Sequence, residues 1–108
     1  MSCRFLLHAA LLLAAAGPAG AQPMGIERAH HAHYIAEYER SLALYEQLAA
    51  LGDAEAAERA GFMLMQGPAA YGPRVPRDVA RATAWLEQAA RAGRPHAVFL
   101  LGLSAGTD

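Results

Sequence analysis

The sequence predicts an all-α fold, a short array of helix–turn–helix units forming an α/α solenoid. Three observations predict it. Apolar residues recur at spacings of three and four along several stretches. Glycine, proline and aspartate fall between those stretches, where helices start and stop. The chain also repeats itself. Displaced by 41 residues, Arg40, Ala43, Glu46, Gln47, Ala49, Gly52, Ala56 and Gly61 meet Arg81, Ala84, Glu87, Gln88, Ala90, Gly93, Ala97 and Gly102, all identities. A period near 40 with small residues at fixed helical offsets is the mark of stacked helix pairs.

The first segment reads as an export leader, not as part of the fold. Arg4 supplies a positive start, Phe5 to Ala16 is an apolar run, and Ala19-Gly20-Ala21 is a small-x-small cleavage pattern. The run is too short to span a bilayer comfortably. Residues 1–21 are therefore expected to be a Sec-type signal peptide cut after Ala21. The rest is expected in the periplasm or outside the cell, with no stable membrane insertion. Cys3 is the only cysteine and leaves with the leader. Disulfides and thiol chemistry are thereby excluded from the mature chain.

Residues 22–33 are read as a lead-in, with Gln22 to Gly25 flexible. From about Glu27 to Leu51 one long helix is expected, with Ile35, Tyr38, Leu42, Tyr45, Leu48 and Ala49 as its buried stripe. Gly52 ends it and Asp53 caps the next helix, Ala54 to Gln66. Gly61 inside that helix costs about 1 kcal/mol against alanine, which implies close approach of a neighbouring backbone. Gly67 to Arg77, with Pro68, Pro73 and Pro76, reads as a stiff loop. Asp78 is an N-cap for a helix to Ala92 that carries Ala82, Trp85, Leu86, Ala89 and Ala90. Gly93 turns the chain, and Pro95 opens a last helix to Leu103. Residues 104–108 are read as a tail. Phe99, Leu100 and Leu103 fold back on the domain or leave an apolar patch, which favours a dimer or a bound protein.

Ala54-Glu55-Ala56 with Gly61 and Gly67, then Val75-Pro76-Arg77-Asp78, Ala82, Trp85, Glu87, Ala89-Ala90 and Gly93, resemble a Sel-one-like repeat, a tetratricopeptide-related helical repeat. The resemblance covers residues 34–103, with one full unit at about 54–93 and partial units on either side. It implies a protein–protein interaction module, an adaptor or scaffold, of the bacterial periplasm. The binding surface it implies is the concave side, here the exposed face of Ala54 to Gln66, with Glu55, Glu58, Arg59 and Phe62.

Other candidate chemistry is sparse. The net charge is −1, every basic side chain among the nine Lys and Arg is arginine, and no basic patch calls for nucleic acid. His30, His31 and His33 cluster, and neutral imidazoles bind zinc, copper or nickel. A metal-binding export protein is thus the alternative reading, with Glu27 and Glu37 as possible helpers. Arg74, Arg77 and Arg81 bracket a helix start and are weighed as an anion cradle. Tyr38, Tyr45 and Trp85 are expected in the core, while Tyr71 at the loop tip is a candidate contact for a partner. Glu37, Glu39, Glu46, Glu55, Glu58 and Glu87 read as exposed helix positions. No nucleophile elbow and no phosphate-binding loop is present, so no enzyme is expected and no cofactor required. A homo-oligomer remains an open expectation.

Overall fold

The computed structural model describes residues 22–106. The expected leader, residues 1–21, with its expected cleavage site after Ala21, lies outside the described residues, as do Thr107 and Asp108. Among those described the chain is all helical, with no strand. The helices are α1 (Gln22–Tyr34), α2 (Tyr38–Ala50), α3 (Ala54–Gln66), the single turn α4 (Pro68–Tyr71), α5 (Val79–Arg91) and α6 (Pro95–Gly106). Each long helix packs on its sequence neighbour: α1 on α2, α2 on α3, α3 on α5 and α5 on α6. The most extensive of these interfaces is α3 on α5.

The helix ends follow from local chemistry. Asp53 accepts the Ala56 amide at 2.9 Å and Asp78 accepts the Arg81 amide at 3.0 Å. Both aspartates therefore cap as expected. Helices α2 and α5 end in the same way. Gly52 has φ +103° and Gly93 has φ +89°, the left-handed region that glycine reaches without a Cβ penalty. In each turn two backbone bonds close the last orphan carbonyls. Gly52 N–H donates to Ala49 at 2.9 Å and Asp53 N–H to Leu48 at 3.1 Å. Gly93 N–H donates to Ala90 at 2.9 Å and Arg94 N–H to Ala89 at 3.1 Å.

The two turns are 41 residues apart, and so are the helices they join. Tyr38 and Val79 open α2 and α5, each 13 residues long, while Ala54 and Pro95 open α3 and α6. The residues that cap α2 and α5, Leu51 and Ala92, have φ, ψ of −89°, 1° and −87°, 3°.

Four expectations need correction. The long helix from Glu27 to Leu51 is two helices. Ala36, at φ +66°, ends α1, with Ala36 N–H on His33 at 3.0 Å and Glu37 N–H on Ala32 at 2.8 Å. This is the same ending as at Gly52 and Gly93, closed here by an alanine. The break swings Ile35 out of the stripe to 45% exposure. The lead-in from Gln22 is helical and packs on α2. A Cβ at Gly25 would come 2.9 Å from Leu48 Cδ2, so glycine lets the two helices close. The loop after Gly67 contains α4, and helix α6 runs into the segment read as a tail, to Gly106.

The core lies along α2, α3 and α5. Leu42, Tyr45, Ala57, Ala60, Met63, Leu64, Ala82, Leu86 and Ala89 are buried there. Ser41 is buried among them, its hydroxyl donating to the Tyr38 carbonyl at 3.0 Å. Gly61 lies in the α3–α5 contact. A Cβ there would come 2.6 Å from Leu86 Cγ and 3.1 Å from the Ala82 carbonyl. The expected close approach of helix backbones is present. Trp85 is half-buried, not enclosed, because its indole N–H reaches the helix edge and donates to Glu46 Oε2 at 2.8 Å.

Candidate functional site

Helix α3 runs between α1 on one side and α6 on the other, and its outward residues meet both. Glu55, Glu58, Arg59 and Phe62 share this face at spacings of three and four. Glu55 reaches α1: its Oε2 lies 3.2 Å from His30 Nε2 and 3.8 Å from an Arg59 guanidinium nitrogen. Phe62 reaches α6, its ring 5.9 Å from that of His96.

Glu58 departs from the expectation. It is 6% exposed, because the chain after Gly93 folds over it. Arg94 donates to Oε1 from one guanidinium nitrogen at 2.8 Å and from Nε at 3.3 Å. The Ala97 amide donates to Oε2 at 3.1 Å. That amide is one of the unpaired donors at the start of α6, so Glu58 caps a helix that it does not belong to. The ion pair holds the Arg94 pKa above its usual range, chiefly through the hydrogen bonds that Arg94 donates to Glu58. Glu58 is thus spent inside the protein, while Arg59 stays exposed and Phe62 half-buried between the flanking helices.

The three histidines do not converge. His30 and His33 lie on the side of α1 that meets Tyr45, with ring centroids 5.5 and 6.4 Å from it. His31 lies on the exposed side of α1, beside Glu27, Arg28 and Arg40. The Tyr45 hydroxyl donates to His30 Nδ1 at 2.6 Å. The other ring nitrogen of His30 faces Glu55, which fixes the Nε2–H tautomer. A carboxylate, an imidazole and a phenol therefore stand in line. The line ends on the hydroxyl of a residue with no exposed surface. Burial pushes that phenol up. The chain of bonds joins α1 to α2 and α3. Among the described residues no group of three His, Cys, Asp or Glu is placed to hold a metal ion. Glu27 and Glu37 complete no such set.

His33 belongs to an aromatic cluster. Tyr38 lies 5.2 Å and Tyr71 5.7 Å from it, both nearly edge-on, and the two tyrosine rings are 5.0 Å apart. Its Nδ1 is enclosed and has no hydrogen-bond partner among the described residues. Burial, then the Arg59 charge, then His30, hold its pKa below the ordinary histidine value. Tyr71 packs inward against this cluster. It also edges a surface concavity that includes Tyr38, Arg40 and Arg74, and its phenol is raised by burial and then by Tyr38.

The arginine group separates as well. Arg81 turns to α2, where Nε donates to Glu46 Oε2 at 3.0 Å and a second nitrogen meets Oε1. Asp78 is the more distant partner at 3.9 Å. Glu46, expected to be exposed, is therefore the receptor for both Arg81 and Trp85. Arg74 and Arg77 stay exposed on the loop. Sequence reasoning placed Glu58 on the exposed face, where it is buried, and missed Glu46 as a shared acceptor. The available signal was the pairing of Arg81 and Trp85 at helical spacing, which needs a shared acceptor on a neighbouring helix.

No protein-family model, no curated protein and no solved structure matches the chain.

Proposed function

We propose that the protein is an exported helical-repeat module that holds another protein against the α3 face. Export rests on the leader pattern of residues 1–21. The repeat reading rests on the 41-residue identities, the matching turns at Gly52 and Gly93, and the resemblance to Sel-one-like repeats. The observation that carries the binding reading is the state of the α3 face. Arg59 is exposed and Phe62 half-buried beside His96 of α6, while their neighbours Glu55 and Glu58 are engaged by α1 and by the start of α6. A half-buried ring beside an exposed guanidinium is the pairing enriched in the energetic centres of protein interfaces.

The test is affinity capture from envelope extract of the producing cell. Residues 22–108 are used beside an Arg59→Glu, Phe62→Ala variant of unchanged helix content. A protein retained by the first and lost from the second is the expected result. A partner held equally by both, or no partner, contradicts the reading.

A further inference from the structure

The first hairpin, α2–α3, carries α5 in a seat whose parts are named above. Glu46 takes Arg81 and Trp85, the Ala49 carbonyl accepts the Gln88 amide at 2.7 Å, and Gly61 lies under Leu86. Ala57 and Ala60 are fully buried in the same contact region. The second hairpin, α5–α6, has the same parts one period later: Glu87, Ala90, Val98, Leu101 and Gly102. There Glu87, Val98 and Gly102 are exposed, while Ala90 and Leu101 are half-buried. Glu87 is exposed, and no ion pair or hydrogen bond of its side chain occurs among the described residues. Val98 is 55% exposed. A Cβ added at Gly102 meets nothing within 4 Å, where one at Gly61 collides.

We infer that this outer face of α5–α6 is a docking seat for an α5-like helix of a partner protein, one carrying arginine and tryptophan four residues apart. The inference rests on the equivalence of the two hairpins, and it names a site separate from the α3 face. The occupant is specified by what the equivalent seat already holds. The arginine answers the Glu87 carboxylate, the indole N–H shares it, and a leucine after the tryptophan lies over Gly102. Val98 and Leu101 replace Ala57 and Ala60, so the seat is bulkier and the visiting helix needs small residues between its anchors. A second copy of this chain does not supply that helix freely. In α2 the residues matching Ala82 and Leu86 are Ser41 and Tyr45, both fully buried, and α1 stands against Tyr45 and Leu48. In α5 the equivalent surface already lies on α3.

The probe is a capped peptide of residues 76–94, with Ala80 and Ala84, both solvent-facing in α5, replaced by a helix-stabilising cross-link. It is titrated into isotope-labelled residues 22–108 and followed by amide shifts. The expected result is saturable binding, with shifts centred on Glu87, Val98, Leu101 and Gly102. Glu87→Arg in the chain, or Arg81→Glu in the peptide, weakens it at least about tenfold, and the two reversals together restore it. Gly102→Leu blocks it. Shifts confined to α2 and α3, indifference to charge reversal, or no binding at about 1 mM peptide overturn the proposal. So does a dimer of the chain alone that Glu87→Arg dissociates, since the occupant is then a second copy. Arg59→Glu with Phe62→Ala leaves peptide binding unchanged, so failure of this seat and failure of the α3 face are read separately.

Discussion

Single residues decide where this small fold holds. Glu58 is the clearest case, because its carboxylate satisfies Arg94 and the start of α6 from inside the protein. Truncation leaves a buried amide without its acceptor. Arg94, with 39% of its side chain exposed, recovers part of its loss in water. Glu58→Ala should therefore cost about 2 kcal/mol in chemical denaturation. Arg40→Ala, which removes an exposed pair with Glu37 at 3.4 Å, should change stability by less than about 0.5 kcal/mol. His33 sets a pH dependence. Its folded pKa lies below the ordinary 6.5, so the unfolded chain binds more protons as pH falls past that value. Its contribution is complete above about pH 6.5 and is lost progressively below it, down to the folded pKa. Thermal unfolding at a series of pH values should show this fall, and His33→Phe should flatten it.

At the scale of the element, the three helix endings make one comparison. Gly52 and Gly93 close α2 and α5 in a left-handed conformation, and Ala36 closes α1 in the same conformation. An alanine there carries a Cβ cost of about 1 kcal/mol. Ala36→Gly should relieve it, and the looser unfolded chain offsets part of the gain. A net increase of about 0.5 kcal/mol in urea unfolding is expected. Substitutions at two helix-interior glycines, Gly61 and Gly102, are expected to differ in sign. At Gly61 an added methyl meets fully buried Leu86 and a backbone carbonyl, so Gly61→Ala should destabilise by about 1–3 kcal/mol. At Gly102 it meets nothing, so Gly102→Ala should stabilise by about 0.5–1 kcal/mol through helix propensity. Equal effects at the two sites, measured by calorimetry, would remove the packing argument.

At the scale of the whole molecule, the sequence was legible where a local signal had a local cause. Asp53, Asp78, Gly52 and Gly93 announce their caps and turns, and Gly61 announces a close contact. The end of α1 was hidden because Ala36 carries no such signal: its left-handed geometry is imposed by α1 lying back on α2. Glu46 and Glu58 look like any helix-surface carboxylates. Their partners lie 35 and 36 residues away along the chain, and only packing brings them together. The histidine triplet misled in the opposite sense, since adjacency in sequence put His31 on the far side of α1 from His30 and His33. The α3 face was located by resemblance, and the structure adds which of its side chains are open.

Helices α5 and α6 stack on α2 and α3 through Gly61 and Glu46, and the matching helix lengths and turns make α2–α3 and α5–α6 equivalent hairpins. Proton–proton NOE spectroscopy of residues 22–108 tests this arrangement directly. Cross-peaks are expected from Gly61 Hα to the Leu86 methyls and from the Trp85 indole N–H to the Glu46 side chain. Gly102, in the matching place, should show no such contact to a methyl from outside α5 and α6. Absence of the first two cross-peaks in a well-dispersed helical spectrum would contradict it.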